Sequence, residues 1–226
     1  MTMQRIGGIA ALICAGTYIF GFVLLVTVFA DSGFGTSAIN AADVVRFTVD
    51  NQGLLILWNT MIYVVNALAL AVLVVALARR LKSKSPDWGN IAFAFGLVWT
   101  TLVLGAGMIA NVTTERLAIL APTDFDTAVQ TWEALHAVEL GLGGGNEIAG
   151  GVWILCVSVA GLLHRAFGKI VIGLGLLTGL GGFLTIIPAF GDVAGAVFGL
   201  GAIAWFLAVG VGLLFKRDGS AVQAPA

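Results

Sequence analysis

Six apolar stretches divide the chain: Gln4 to Ala30, Leu54 to Leu77, Ile91 to Asn111, Asn146 to Leu163, Ile170 to Phe190 and Val193 to Phe215. Each is close to the roughly 20 residues that a helix needs to cross the hydrocarbon core of a bilayer. Soluble domains are nearer 45–50% apolar and about 25% charged; this chain is 59% hydrophobic and 10% charged. Transmembrane β-strands are excluded, because the runs lack the alternation of apolar and polar residues that a barrel wall requires. A helix satisfies its own backbone in lipid. The expectation is an all-α polytopic membrane bundle, with one six-helix domain over residues 1–217. Short interfacial helices are expected in its two outer loops, and a short disordered cytoplasmic tail over 218–226.

Charge placement orients that bundle. Nine of the eleven Lys and Arg fall at one set of helix ends: Arg5, Arg79, Arg80, Lys82, Lys84, Arg165, Lys169, Lys216 and Arg217, with only Asp87 and Asp218 among them. The other ends hold Arg46 and Arg116 against ten acids: Asp31, Asp43, Asp50, Glu115, Asp124, Asp126, Glu133, Glu139, Glu147 and Asp192. Basic residues collect on the cytoplasmic side of membrane proteins. The pattern therefore implies a multi-pass protein of the inner (plasma) membrane with both termini cytoplasmic. The basic rim reads as lipid-facing, with the bilayer as partner and no role for nucleic acid. The first apolar run is too long for the core of a signal peptide and reads as a retained helix.

Both outer loops carry helix starts. Asn40 followed by Asp43 in "NAADVVRFTVDNQG" reads as a capped helix on the outer surface, and Thr123 followed by Asp126 in "PTDFDTAVQTWEALHAVE" reads as a second one. At about 100° per residue from Phe125, the apolar stripe Phe125, Ala128, Val129 and Trp132 also contains His136 and Glu139. If the helix continues through "GLGGGN", the same face goes on with Gly143, Asn146, Glu147 and Gly150. A second polar stripe, Asn59, Tyr63 and Asn66 at i, i+4 and i+7, runs down the second span. Such groups turn inward, either to bond a neighbouring helix or to line a cavity. The cavity candidates are thus Asn59, Tyr63, Asn66, His136, Glu139, Asn146 and Glu147.

Familiar chemistries fit poorly. Glu133 and His136 form an ExxH pair, but a di-iron bundle needs that pair twice and the second histidine, His164, lies at the opposite end. A mononuclear site of His136, Glu139 and Glu147 lacks a recognisable ligand spacing. No strand precedes "GLGGGN", so it is no phosphate loop. No metal and no cofactor is therefore expected. The pairs Gly141/Gly145 and Gly175/Gly179 and the run Gly191, Gly195, Gly199 have the GxxxG spacing that lets membrane helices approach closely, within one chain or in an oligomer. Cys14 and Cys156 fall in apolar spans, and Trp99, Trp153 and Trp205 lie deep in theirs. For Glu147 three roles stand open: pairing with Arg46 or Arg116, an acid beside a cavity, or a carboxylate capping a helix that breaks at the glycines.

The last third of the chain contains "EIAGGVWILC", the basic turn "HRAFGK", the exit "LTIIP" and the ending "WFLAVGVGLL", and helix two begins "DNQGLLILWN". In these features the sequence resembles a family of bacterial six-helix integral membrane proteins catalogued as a domain of unknown function (forty-three eighty-six). The resemblance spans most of the chain. It implies the six-helix fold and carries over no catalytic residue. Two function classes follow from the residues: non-enzymatic binding or movement of a small or lipidic molecule in a polar cavity between helices two and four, or an intramembrane enzyme whose acid or base is Glu147 or Glu139. A purely structural membrane partner fits the same residues as the first class.

Overall fold

The computed structural model describes residues 2–30, 39–144 and 147–215, and the expected tail over 218–226 and Asn146 lie outside them. The described residues form helices and turns, with no strand. The helices are α1 (Met3–Thr27), α2 (Ala41–Asp50), α3 (Gln52–Asn59), α4 (Asn66–Lys82), α5 (Pro86–Leu120), α6 (Phe125–Glu139), α7 (Ile148–Leu163), α8 (Lys169–Leu184) and α9 (Gly191–Phe215). Two π-helical turns, Thr60–Val65 and Leu140–Gly144, join α3 to α4 and extend α6.

Five segments are long and apolar enough to cross a membrane: Met3–Thr27, Gln52–Lys82, Pro86–Leu120, Phe125–Leu163 and Pro188–Phe215. The fifth expected span, Ile170 to Phe190, is shorter than the sequence suggests. Its helix α8 stops at Leu184, because Pro188 forces Ile187 into an extended conformation and Pro188–Phe190 then makes a 3-10 turn. The third span is longer than expected. Pro86 opens α5 at its first turn, where its missing N–H costs nothing. At the far end the polar run after Ala110 does not break the helix, because Thr113 and Thr114 donate to the carbonyls of Ile109 and Ala110 one turn back.

The caps of the two outer helices are side-chain carboxyl or amide oxygens. Asn40 Oδ1 accepts from the N–H groups of Ala42 and Asp43 at 3.0 and 3.2 Å, as expected. The cap of α6 is Asp124 rather than Thr123. The Asp124 carboxylate accepts from both the hydroxyl and the N–H of Thr127 at 2.7 and 3.0 Å, while Thr123 bonds back to Leu120. Those Thr127 bonds hold the Asp124 carboxyl below the usual carboxylate range. Their contribution is present above the unfolded carboxyl's pKa and is lost as pH falls through the lowered folded value.

Six helices close a ring in which each touches the next: α1, α4, α5, α7, α8, α9 and back to α1. Its centre is a solid aromatic core. Trp99, Trp153, Trp205, Phe198 and Phe206 are all essentially fully buried, with ring centres 5.4 to 6.3 Å apart. Trp153 Nε1 donates to Ala92 O at 2.8 Å, anchoring α7 to α5. The basic groups gather at one end of the ring, where Arg80 Nε donates to Ala166 O and its guanidinium stacks on Phe167. At the other end α2 and α6 pack on the last turns of α5 through Val44, Val45, Leu117, Ala128 and Trp132.

The GxxxG glycines divide into two kinds. On α8, Gly175 and Gly179 are pressed against α7 and α9, so that pair is used within the bundle. Gly141, Gly191 and Gly195 face open space instead, and only Gly199 of the α9 run meets a neighbour, Phe22. The closest approach to another backbone is at Gly151, where a Cβ would lie 2.6 to 2.8 Å from the backbone of Phe183, Gly182 and Gly179. Gly151→Ala is expected to lower stability by about 1–3 kcal/mol, the usual cost of overpacking. Gly141→Ala should leave stability unchanged, and thermal unfolding of the two purified variants checks the contrast.

Candidate functional site

The end of the ring away from the basic groups is hollow. A cavity of about 740 Å³ lies among the second half of α1, the α3–α4 junction, the second half of α5, the α6 segment and the first turns of α9. Six of the seven sequence candidates line it: Asn59, Tyr63, Asn66, His136, Glu139 and Glu147. The seventh, Asn146, falls outside the described residues.

Two irregular turns build the polar wall. In the first, Thr60–Val65 widens the helix between Asn59 and Asn66, and Asn111 Nδ2 donates to Thr60 Oγ1 at 3.0 Å. Gly107 of α5 leaves room for Tyr63 to lie directly against its backbone. From there the Tyr63 hydroxyl donates to Glu139 Oε1 at 2.7 Å. The other carboxylate oxygen, Oε2, is 3.0 Å from His136 Nδ1, and the His136 ring stacks on Trp132 with centres 4.5 Å apart. A chain of contacts therefore runs from α5 through Tyr63, Glu139 and His136 to Trp132.

The second irregular turn decides between the two courses left open for this stretch. The helix does not run on through the glycines. Gly143 adopts φ +126°, in the left-handed half of backbone space that glycine enters without steric cost, and regular helix resumes only at Ile148. The seam therefore reaches Glu147 through a break rather than along one helical face. The Glu147 N–H donates to Thr185 Oγ1 at 3.1 Å, which ties the restart of α7 to the end of α8.

Of the three roles open to Glu147, the capping one holds in position only: Glu147 is the N-cap residue of α7, at a helix that breaks at the glycines. Its side chain makes no capping bond to α7. Nor does it meet either outer arginine: Arg46 pairs with Asp43 at 2.9 Å and lies over Phe125, and Arg116 is exposed and absent from the cavity wall. Among the described residues the Glu147 carboxylate has no hydrogen-bond partner. It is an acid on the wall of a cavity.

The asparagines separate by role. Asn66 Nδ2 donates to Thr17 Oγ1 at 2.7 Å and to Cys14 O at 3.4 Å, so its amide joins α4 to α1 although its edge reaches the cavity. Asn59 is only 4% exposed, and among the described residues its amide bonds to nothing. Glu133 of the ExxH pair is exposed while its histidine turns inward to Glu139, so the two do not converge. Among the described residues no three His, Cys, Asp or Glu come together as a metal-binding group.

Four contributors were missed in sequence. Tyr18, Trp58 and Asp192 line the cavity, and Gly195 leaves part of its space free. Asp192 carries a legible signal, an acid in the first turn of an apolar span. Tyr18 and Trp58 carry none, since an aromatic in an apolar run is ordinarily a packing residue. No protein family, curated protein or solved structure matches the chain.

Two experiments test the wall. In a double-mutant cycle of Tyr63→Phe and Glu139→Gln, unfolding should reveal a coupling on the order of 1 kcal/mol, since membrane hydrogen bonds average about 0.6 and bonds to charged groups about 1.5–3 kcal/mol. Strict additivity would remove the joint. Asn66→Leu should cost about 1 kcal/mol or less in thermal unfolding.

Proposed function

We propose that the chain is a six-span protein of the bacterial inner membrane, with both termini in the cytoplasm. In this reading its outward-opening cavity binds a small or lipidic molecule, to hold or move it without converting it. The observation that carries the reading is the cavity itself. Its volume falls within the roughly 300–1,000 Å³ of ligand sites, which are typically apolar with a few convergent polar groups. Here the apolar wall is broken by Asn59, the Tyr63–Glu139–His136 joint and Glu147.

The sixth crossing is α8. It starts beside the basic end at Lys169 and finishes with Gly182 against the Glu147 carbonyl, so it traverses the ring although it has only 16 residues. A short span of this kind is accommodated by local thinning of the bilayer. The even number of crossings, the basic rim and the family resemblance noted in the sequence support the same topology. One observation favours a second reading, an enzyme using Glu147 or Glu139: the unpartnered Glu147 carboxylate has the position of a general acid or base. No metal-binding group accompanies it among the described residues.

Native mass spectrometry of the full chain, extracted in mild detergent, should show a retained small or lipidic mass. Gly195→Leu should lose that mass with unchanged thermal stability, because its side chain grows into open space. An empty wild-type protein, or equal retention in both, would contradict binding in this cavity; release of a chemically altered mass would favour the enzyme. Cysteines placed at Ser83 and Ser220 should react only from the cytoplasm, and one at Thr123 only from outside.

A further inference from the structure

The charge of the cavity wall narrows the ligand. Among the described residues three carboxylates line it, Glu139, Glu147 and Asp192, and no Lys or Arg does. His136 is the one basic group on the wall, and it is already engaged with Glu139. Even a protonated His136 therefore balances only Glu139 and leaves Glu147 and Asp192 uncompensated. The two outer arginines do not help, since Arg46 is bound to Asp43 and Arg116 is off the wall.

An anionic occupant is disfavoured on this wall. A fatty acid or a phosphate-bearing lipid would bring a second negative charge among three carboxylates, with no cationic donor to receive it. A neutral occupant would hydrogen-bond Glu147 but make no use of the acidic wall. A cation with an apolar body meets every feature at once. Asp192 is exposed, at the rim, where it attracts positive charge; Glu147 lies further in and is free to pair. Asn59, a residue only 4% exposed, makes no amide bond to any described residue, and its oxygen can accept an N–H or lie against a polarised methyl group. Tyr18, Trp58, Tyr63 and Trp132 present aromatic rings on the same wall, and a cation over such a ring gains further attraction.

Resting on the cavity reading above, we infer that the site takes a lipophilic organic cation, an amine or quaternary ammonium on an apolar body, with its charge against Glu147. The amine of a zwitterionic phospholipid is the wrong source, because its phosphate would lie within a few ångströms of the same carboxylates.

The test is equilibrium dialysis of the purified full chain in a neutral detergent, with radiolabelled tetraphenylphosphonium as probe and tetraphenylborate as an anion of the same shape. Wild-type protein should bind the cation saturably, near one per chain above the detergent background, and the anion not at all. Glu147→Gln should weaken cation binding by about ten-fold or more. Glu147→Asp, which keeps the charge, should retain binding within about three-fold, and it supplies the comparison if the glutamine variant does not fold. Equal binding of cation and anion, or an unchanged affinity in Glu147→Gln, overturns the inference. A retained neutral or anionic mass in native spectrometry, with no binding of the phosphonium, overturns the cation while leaving the cavity reading intact. No retained mass and no saturable binding of either probe overturns both.

Discussion

The arrangement depends on backbone hydrogen bonding. In a chain this apolar, a helical ladder that opens has neither water nor spare polar side chains to receive its N–H and C=O groups, so irregular backbone is tolerated only beside a polar lining or a cavity. The ladder departs from regular α-helix in two long segments, at Thr60–Val65 and at Leu140–Gly144. Both stand beside the same cavity, and the Tyr63–Glu139 hydrogen bond ties one to the other. π-helical turns are rare and collect at functional positions. Two of them stand on one cavity, joined through a tyrosine and a carboxylate, so regular helix is given up where that cavity is lined.

The rest of the ring compensates. Its middle is packed with tryptophan and phenylalanine, and α7 and α8 approach so closely that backbone meets backbone at Gly151. Glycine serves opposite purposes along the chain: on α8 it removes space between helices, while on α9 Gly191 and Gly195 preserve it. The result is a bundle solid at its centre and hollow towards the acidic end. An apolar ligand body has room there, and the polar groups that would orient it are held by bonds to one another. The exceptions are Glu147, Asn59 and Asp192, whose side chains on this wall have no hydrogen-bond partner among the described residues.

Much of this was legible in the residues. The six apolar runs correspond to the helices that form the ring, because polar punctuation and apolar length are read directly from composition. The stripe Asn59, Tyr63, Asn66 and the stripe His136, Glu139 meet on one cavity wall, since helical periodicity places them even across a π turn. Cross-chain geometry was not legible. Nothing local says that Asn66 bonds Thr17, that Tyr63 reaches Glu139, or that Gly195 faces space while Gly179, with the same spacing to its neighbour, faces a helix. The end of α5 was misjudged because its threonines look like punctuation, yet they bond within their own helix. The cap of α6 was misplaced by one residue, as Thr123 and Asp124 are both good caps and only the partner Thr127 decides between them. The role of Glu147 turned on Gly143, whose φ breaks a helix that periodicity alone would have continued.

The proposed reading requires an outward-facing space between Gly191 and Gly195 of α9 and the α6 segment, which line the cavity from opposite sides. The most direct measurement is the labelling of Gly195→Cys, in a background where Cys14 and Cys156 are replaced by alanine, with a small membrane-impermeant thiol reagent applied to each side of sealed vesicles. The account predicts rapid labelling from the periplasmic side alone, slowed when tetraphenylphosphonium is present. A cysteine at Gly195 that is unreactive from both sides, or reactive only from the cytoplasmic side, would contradict it.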